Sequence, residues 1–551
     1  MFSPRSSIPL NPNDYIMICE SKINELKNRK LGEIVTGGRI GYIDRNISCS
    51  DHKPVTLTCK KQISEQDFDK ISKALENEYR LSFSVAGFPV ASYSHNEFRY
   101  RGIPFGYKDG PDVLLRTKYI FNVACESKHP GHAMQFDSLT ETDSYQIIKP
   151  GSTANFQFII SSKTADSGLS SMNRDPDYAI SKRNSRLYLL LSFLITVVTF
   201  GSSIYIYIQN RVSDSDNMHT LEMDLESETN FEEIGWRLLH GDIFRSPPHP
   251  IILSSLVGVG FDILLTVLFV FVCSGLGLFE IVSFSTFVEP FLLIFFLITP
   301  ISGFLSTKIF KTIGRQYWKR NLLTSGLLAT GFFCSLYLIL QIKFMGNKSP
   351  ASVPIKYILK VSFMLIIGCF FFHFFGSVPA LKGSPFEFPT AINQLPRHIP
   401  QQPFTSSMFM MMLCGGAQPF IIIALDFHLI LESMWTGLSF FDCWGHASIS
   451  VILALLTSVG VSILSVYISV SGEDYRWWWK AFITPAASGL FLFGYSMFYV
   501  LFTVRPLFGG LIPYFIQSAM MAFVTSLSMG CAGFIGSFVF ICALYKALKM
   551  E

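Results

Sequence analysis

From residue 187 onward, long apolar runs alternate with short polar breaks; before it, apolar stretches are brief and charges frequent. Within residues 1–186, "PVTLTCKKQ" (54–62), "RLSFSVAGF" (80–88) and "TANFQFIISS" (153–162) alternate or run apolar over strand lengths. "SEQDFDKISKALENEY" (64–79) has helical spacing, with Ser64 placed to cap it. From 187 on, nine runs approach the roughly 20 residues a helix needs to cross a bilayer. They are 187–208, 251–272, 281–304, 321–342, 357–380, 406–431, 447–470, 481–504 and a stretch within 510–545. The pattern predicts a membrane protein: a nine-helix transmembrane bundle behind an N-terminal, strand-rich, β-sandwich-like domain. The expected divisions are that domain at 1–186, a first transmembrane helix at 187–208 and a linker at 209–250. An eight-helix bundle at 251–545 and a tail at 546–551 complete the chain.

Composition agrees. Half of the 551 residues are hydrophobic and 15% are charged, against about a quarter in soluble domains. A net charge of +4, scattered along the chain, argues against nucleic acid as a partner. Basic residues near the span ends predict the orientation. The loop after the third run holds Lys308, Lys311, Arg315, Lys319 and Arg320. Arg211, Arg237, Arg245, Lys382, Arg397, Arg476, Lys480, Lys546 and Lys549 fall on the same side. They outnumber Lys182, Arg183, Arg186, Lys343, Lys348, Lys356 and Arg505 on the other. The richer side is expected to be cytosolic, which makes residues 1–186 lumenal and the C-terminal tail cytosolic. The start, "MFSPRSSIPLNPNDY", has no apolar core of signal-peptide length. Export then requires either an upstream segment or the first span acting as an internal signal. Asn46 in "NIS" is a glycosylation acceptor triplet on the expected outer side, and Cys49 and Cys59 are close enough to pair around a hairpin, although spacing alone does not fix a pairing.

Four loop motifs carry a resemblance. "EEIGWRLLHGDIFRSPPHP" (232–250), "KTIGRQYWKRN" (311–321), "NQLPRHIPQQPF" (393–404) and "EDYRWWWKAF" (473–482) occur in order between the expected spans. They resemble the nonaspanins, the transmembrane-nine superfamily. "LGEIVTGGRI" (31–40), "TCKKQISEQDFDKISKALENEYR" (58–80), "GFPVA" (87–91) and "GIPFGY" (102–107) are similar to that family's lumenal domain. Residues 162–186 stand where the family places a Trp-rich segment, and lack it. Because family members begin with a signal peptide, the resemblance favours an upstream segment. It implies a non-enzymatic protein of Golgi and endosomal membranes that sorts other membrane proteins to the cell surface, and thereby serves adhesion or phagocytosis. The implied partners are transmembrane segments of cargo proteins, the lipid bilayer, and vesicle coats at the tail, where Lys549 and Glu551 resemble the family's terminal Lys-x-Asp/Glu signal. No cofactor is implied.

Other residues suggest chemistry of their own. Glu473, Asp474, Tyr475, Arg476, Trp477, Trp478 and Trp479 are expected to form a rigid interfacial loop between two uncharged spans. On a helix three adjacent residues point about 100° apart, so at least one indole should turn inward. Arg476 and Lys480 have the spacing to reach phosphates together, with lipid or cargo contact as the rival to a structural role. Nothing in this loop is a nucleophile beside a base. Asp262, Glu289, Asp426 and His428 fall within apolar runs, where ionisable groups are costly and often functional. His428 and Glu432 share a helical face, as a proton relay or ion site would require. A transporter or channel built on such residues is the rival reading, and it would need a polar cavity around Asp426 and His428. In "SLSMGCAGFIGS" (526–537), Ser526–Gly530 and Ala532–Gly536 form small-xxx-small pairs, suited to bundle packing or to cargo docking. The acidic stretch 212–233 reads as a solvated linker.

Overall fold

The computed structural model describes residues 55–81, 84–85, 88–89, 91–92, 100–101, 103–110, 112–126, 134–140, 144–165, 187–206, 208–209, 235–276, 284–314, 317–347, 349, 352–436, 444–503 and 508–546.

The N-terminal region is strand-rich around one helix. Ser64 caps α1 (Glu65–Glu76), accepting the Asp67 N–H at 3.2 Å. That satisfies one of the N–H groups a helix start leaves open. The main strands are β1 (Val55–Gln62), β2 (Gly106–Asp109), β3 (Asp112–Arg116), β4 (Lys118–Glu126), β5 (Met134–Thr140), β6 (Tyr145–Ile148) and β7 (Thr153–Ala165). One sheet runs β1-β7-β4-β5, with β4 parallel to β7 and the other pairs antiparallel; a second runs β6-β3-β2. Val113, Leu115 and Ile148 from the second sheet, and Tyr119, Phe156 and Phe158 from the first, are buried. The stretch 80–88, expected as one strand, contributes the short strands Arg80–Leu81 and Ser84–Val85 and the start of a third, Phe88–Pro89.

Among the described residues nine helices are long and apolar enough to span a membrane. A bilayer offers the backbone no hydrogen-bond partners, so each run must satisfy its own as helix. The helices are α2 (Leu187–Ile206), α3 (Pro250–Gly275), α4 (Phe284–Ile313), α5 (Trp318–Gly346) and α6 (Ile355–Lys382), then α7 (Met408–Thr436), α8 (Trp444–Ser471), α9 (Trp477–Phe502) and α10 (Phe508–Lys546). Helices α3–α6 pack as one group and α7–α10 as another. The last helix, α10, lies against α8 and α9 on one side and α3 and α5 on the other, joining the two. The long α2 is mostly exposed. It meets α8 through Thr196 and Thr457 (2.9 Å) and through the Ser203 hydroxyl on the Gly460 carbonyl (3.0 Å).

One expectation needs correction, and one open choice is decided. Residues 235–250 do not continue the linker: a short 3-10 helix, Gly235–Leu239, leads into a segment whose Trp236, Leu239, Ile243 and Phe244 are buried in the bundle core. The acidic run ends at Glu233, and apolar side chains at 236, 239, 243 and 244 have a surface to bury against. The small-residue stripe of α10 is also spent inside the bundle. Gly530 faces Ala486 and Phe482, and Gly536 faces Val459. Packing within the bundle is the use these contacts show.

Candidate functional site

Three of the loop motifs meet at the end of the bundle that holds Lys311, Arg397 and Arg476. The turn 472–476 is tight: Glu473 adopts a left-handed conformation (φ 61°) and the Asp474 N–H returns to the Ser469 carbonyl at 3.0 Å. Helix α9 then begins at Trp477, so the tryptophans form its first turn rather than the loop before it. Trp477 and Trp478 are fully buried, stacked at 4.2 Å between ring centres, and Trp479 is half-buried. All three indole N–H groups donate to one strand of chain: Trp477 to the Ile243 carbonyl (2.8 Å), Trp478 to Arg245 (3.0 Å) and Trp479 to Pro248 (2.8 Å). Two of the three turn inward, and their polar edges are satisfied by peptide rather than by water or headgroups. Residues 100° apart on a helix reach one segment because that segment runs around the helix start.

Charges lock the same region. Asp474 is buried; its carboxylate accepts from Lys480 (2.9 Å) and from the Arg476 side chain (3.1 Å) and N–H (3.0 Å). Burial alone would raise that carboxyl. The hydrogen bonds from Lys480 and Arg476, with the charge of Lys480, outweigh burial and hold it below the usual carboxylate range. Lys480 also donates to Ser469 (3.1 Å), so it is committed inward and cannot share a phosphate with Arg476. Glu473 pairs with Arg397 (3.1 Å), which also donates to the Leu238 carbonyl (3.3 Å). Arg245 bonds Asp242 (2.5 Å) and the Asn393 carbonyl (2.9 Å), and the Asn393 N–H returns to Gly241 (2.8 Å). Gln402 donates to the Gly472 carbonyl at 2.6 Å. The segments 238–248, 393–402 and 472–480 are therefore one interlocked cap.

Between α7 and α9 lies an open cleft of about 470 Å³. Its lining is almost wholly apolar: Phe409, Met412 and Leu413 come from α7, and Ala487, Leu490, Phe491, Gly494 and Phe498 from α9. Phe409, Leu490 and Phe498 are exposed at its mouth.

The intramembrane acids find other partners than sequence spacing proposes. Asp426 is buried and bonds His446 Nδ1 at 2.7 Å, on α8. Tyr188 of α2 reaches the same level of α7, accepting the Leu425 N–H at 3.2 Å and donating to the Ile421 carbonyl. His428 bonds the Tyr495 hydroxyl of α9 at 2.9 Å, an interhelical hydrogen bond. The position of Asp426 is closed by His446, which does not match the open polar cavity a transporter would need there. Asp262 is buried between α3 and α4, held by the Thr299 hydroxyl at 3.0 Å. Glu289 lies near the start of α4, its side chain outside the described residues. Lys549, Glu551, Asn46 and Cys49 also lie outside them; Cys59 stands in β1 opposite Phe156. His446, Tyr495, Tyr188, Asp242 and Arg245 carry no individual mark in the sequence. A shared signal was available for the last two: an acid and a base three apart, in a Gly- and Pro-rich loop on the side where the other motifs fall.

A family model described as Endomembrane protein 70 matches residues 12–506. Transmembrane 9 superfamily protein C1105.08 of Schizosaccharomyces pombe is 26% identical, over 95% of this chain and 87% of its own. Transmembrane 9 superfamily member 1 of Mus musculus is 26% identical over 97% of this chain and 89% of its own. Transmembrane 9 superfamily member 4 of Homo sapiens is 23% identical over 100% and 92%. No solved structure matches.

Proposed function

Because the chain belongs to the Endomembrane protein 70 family, the nonaspanins of the transmembrane 9 superfamily, we propose that it sorts other membrane proteins toward the cell surface from Golgi and endosomal membranes, and through that cargo serves adhesion or phagocytosis. The observation that supports this reading is the apolar cleft between α7 and α9. A groove lined by aromatic side chains and a glycine suits a transmembrane helix of another protein, since helices in lipid associate by close packing where a backbone can approach. The work needs no catalytic group. The interlocked cap faces the cytosol in this reading, because the basic residues lie there, and it holds the cleft's two helices in fixed register through Gln402 and Gly472. The tail, with Lys549 and Glu551, binds vesicle coats from the same side.

The test fills the cleft. A Cβ at Gly494, which lines the cleft, meets no atom within 4 Å, so Gly494→Leu is expected to crowd the groove while sparing the bundle. Cell-surface membrane proteins are quantified by biotinylation and mass spectrometry in cells carrying only wild type or only this variant. A photo-crosslinking residue at Leu490 identifies what enters the groove. Loss of a defined set of surface proteins, the same ones captured at Leu490, is the expected result. An unchanged surface with a normally abundant variant would remove the cleft from the mechanism.

A further inference from the structure

Asp262 lies on α3 about 18 Å from its first residue, Pro250, at 1.5 Å per residue. That is deep within a hydrocarbon core about 30 Å thick. The residue is 6% exposed. One carboxyl oxygen accepts the Thr299 hydroxyl at 3.0 Å; the other has no hydrogen-bond partner among the described residues. The titratable surroundings hold no cation. From α4 only hydroxyls face it, Thr299 and Ser302. From α6 comes the Cys369 thiol, with Cys334 of α5 beyond it. His373 of α6 is engaged by Ser325 of α5 at 2.6 Å. From α10, Cys531 packs against Gly260 of α3. A carboxyl in such a place cannot stay ionised without a partner: it takes up a proton or holds a cation. Few oxygens converge here, the carboxyl and two hydroxyls, against the six or so a hard metal cation collects.

Polar side chains are spaced as a seam between this carboxyl and the capped end. Ser254, Gly258, Asp262 and Thr266 recur every fourth residue and share one face of α3. At the capped end the Ser254 hydroxyl donates to Asn321 at 2.5 Å, and Ser306 donates to the Ser254 carbonyl at 3.1 Å. One turn deeper, Ser302 donates to the Thr299 carbonyl at 2.8 Å, and Thr299 touches Asp262. Asn321 Nδ2 near the capped end, and Thr266 Oγ1 one turn beyond Asp262 from it, are buried without partners among the described residues. Hydroxyls and an amide spaced by helical turns, with spare donors and acceptors, can pass a proton where apolar side chains cannot.

We propose that Asp262 is an exchangeable proton-binding site in the α3–α6 half of the bundle, loaded from the capped end along this seam. It is separate from the cleft between α7 and α9 and does not depend on the sorting role. On loading, the Thr299 hydroxyl gives its proton to the carboxylate oxygen it bonds and regains one from the seam, and unloading reverses both transfers, so one O–H bond forms for each that breaks.

The test uses the full-length protein in lipid nanodiscs. Infrared spectra at pH 6 should show the carbonyl band of a buried neutral acid, and Asp262→Asn should remove it. Dicyclohexylcarbodiimide, which adds whole to a protonated carboxyl in apolar surroundings, should label the peptide carrying Asp262. Labelling should fall about tenfold for each pH unit above the midpoint, and sodium should not change it. Mapping the adduct on the wild-type chain keeps the result independent of how the variant folds. An absent band at pH 6 overturns the proposal. So does a band that persists at high pH without any labelling, the mark of a sealed structural acid. Suppression of labelling by sodium would replace the proton with a metal cation.

Discussion

The indoles at 477–479 and the carboxylate at 474 do different work within one turn of chain. Trp478 is closed on both faces by Trp477, Phe534 and Phe538, and its N–H closes the Arg245 carbonyl. Trp478→Phe keeps most of the ring and loses the hydrogen bond, an expected cost of about 1 kcal/mol. Trp478→Ala also opens a cavity and should cost about 3–5 kcal/mol. Thermal unfolding of both variants in detergent checks the order; equal losses would mean the hydrogen bond carries the effect. Asp474 is the sharper case. Replacing it with Asn leaves the Lys480 ammonium facing a neutral group in a site with little water, and breaking a buried pair costs about 3 kcal/mol or more. Because the folded carboxyl lies below its unfolded value, its contribution is complete above about pH 4, the unfolded value. It fades as pH falls through the lower folded value. Wild type and Asp474→Asn should therefore differ by a constant amount between pH 7 and 5 and converge only in stronger acid. A gap that closes by pH 5 would mean another group sets it.

At the scale of helices, close crossings are set by missing side chains. A methyl group at Gly376 of α6 would run into the Pro300 carbonyl of α4, and one at Gly303 of α4 into the His373 carbonyl of α6. The two helices meet backbone to backbone, as small residues permit in membranes. Gly376→Ala should force them apart and cost about 1–3 kcal/mol, the range for overpacking. Gly494→Ala, with open space at its Cβ, should be neutral or slightly stabilising. Melting temperatures of the pair separate a crossing requirement from a general effect of glycine in helices. The helices themselves were legible because hydrocarbon imposes long apolar runs, and Ser64 was legible because capping is local. The Asp426–His446 pair was not. The apolar run of α8 starts at 447, one residue past His446, and which residue of α8 meets Asp426 depends on the rotation of two separate helices. The tryptophans were half legible: chemistry marked them for an interface, but a tertiary contact with residues 243–248 turned two of them inward.

On the scale of the whole molecule, orientation and tail form one argument. The cap gathers Arg245, Arg397, Arg476 and Lys480 at one end of the bundle, and α10 ends there too, with the Tyr545 hydroxyl on the Trp236 carbonyl at 2.6 Å. If that end is cytosolic, the side the positive-inside bias favours, the chain leaves the bundle on the side where coats assemble. The segment after Lys546 would then span roughly 15–20 Å when extended, at about 3.3 Å per residue, enough to meet a coat at the headgroup layer. A coat reading Lys549 and Glu551 needs both side chains within reach, so residues added beside Glu551 should do harm as mutation does. The check is microscopy of an internally tagged protein as wild type, as Lys549→Ser and with two alanines added after Glu551. Both altered forms are expected to leave the Golgi. Protease added to sealed microsomes should at the same time spare the N-terminal domain until detergent is present. Golgi residence of all three forms would move the retention signal into the bundle, and digestion of the domain without detergent would invert the molecule.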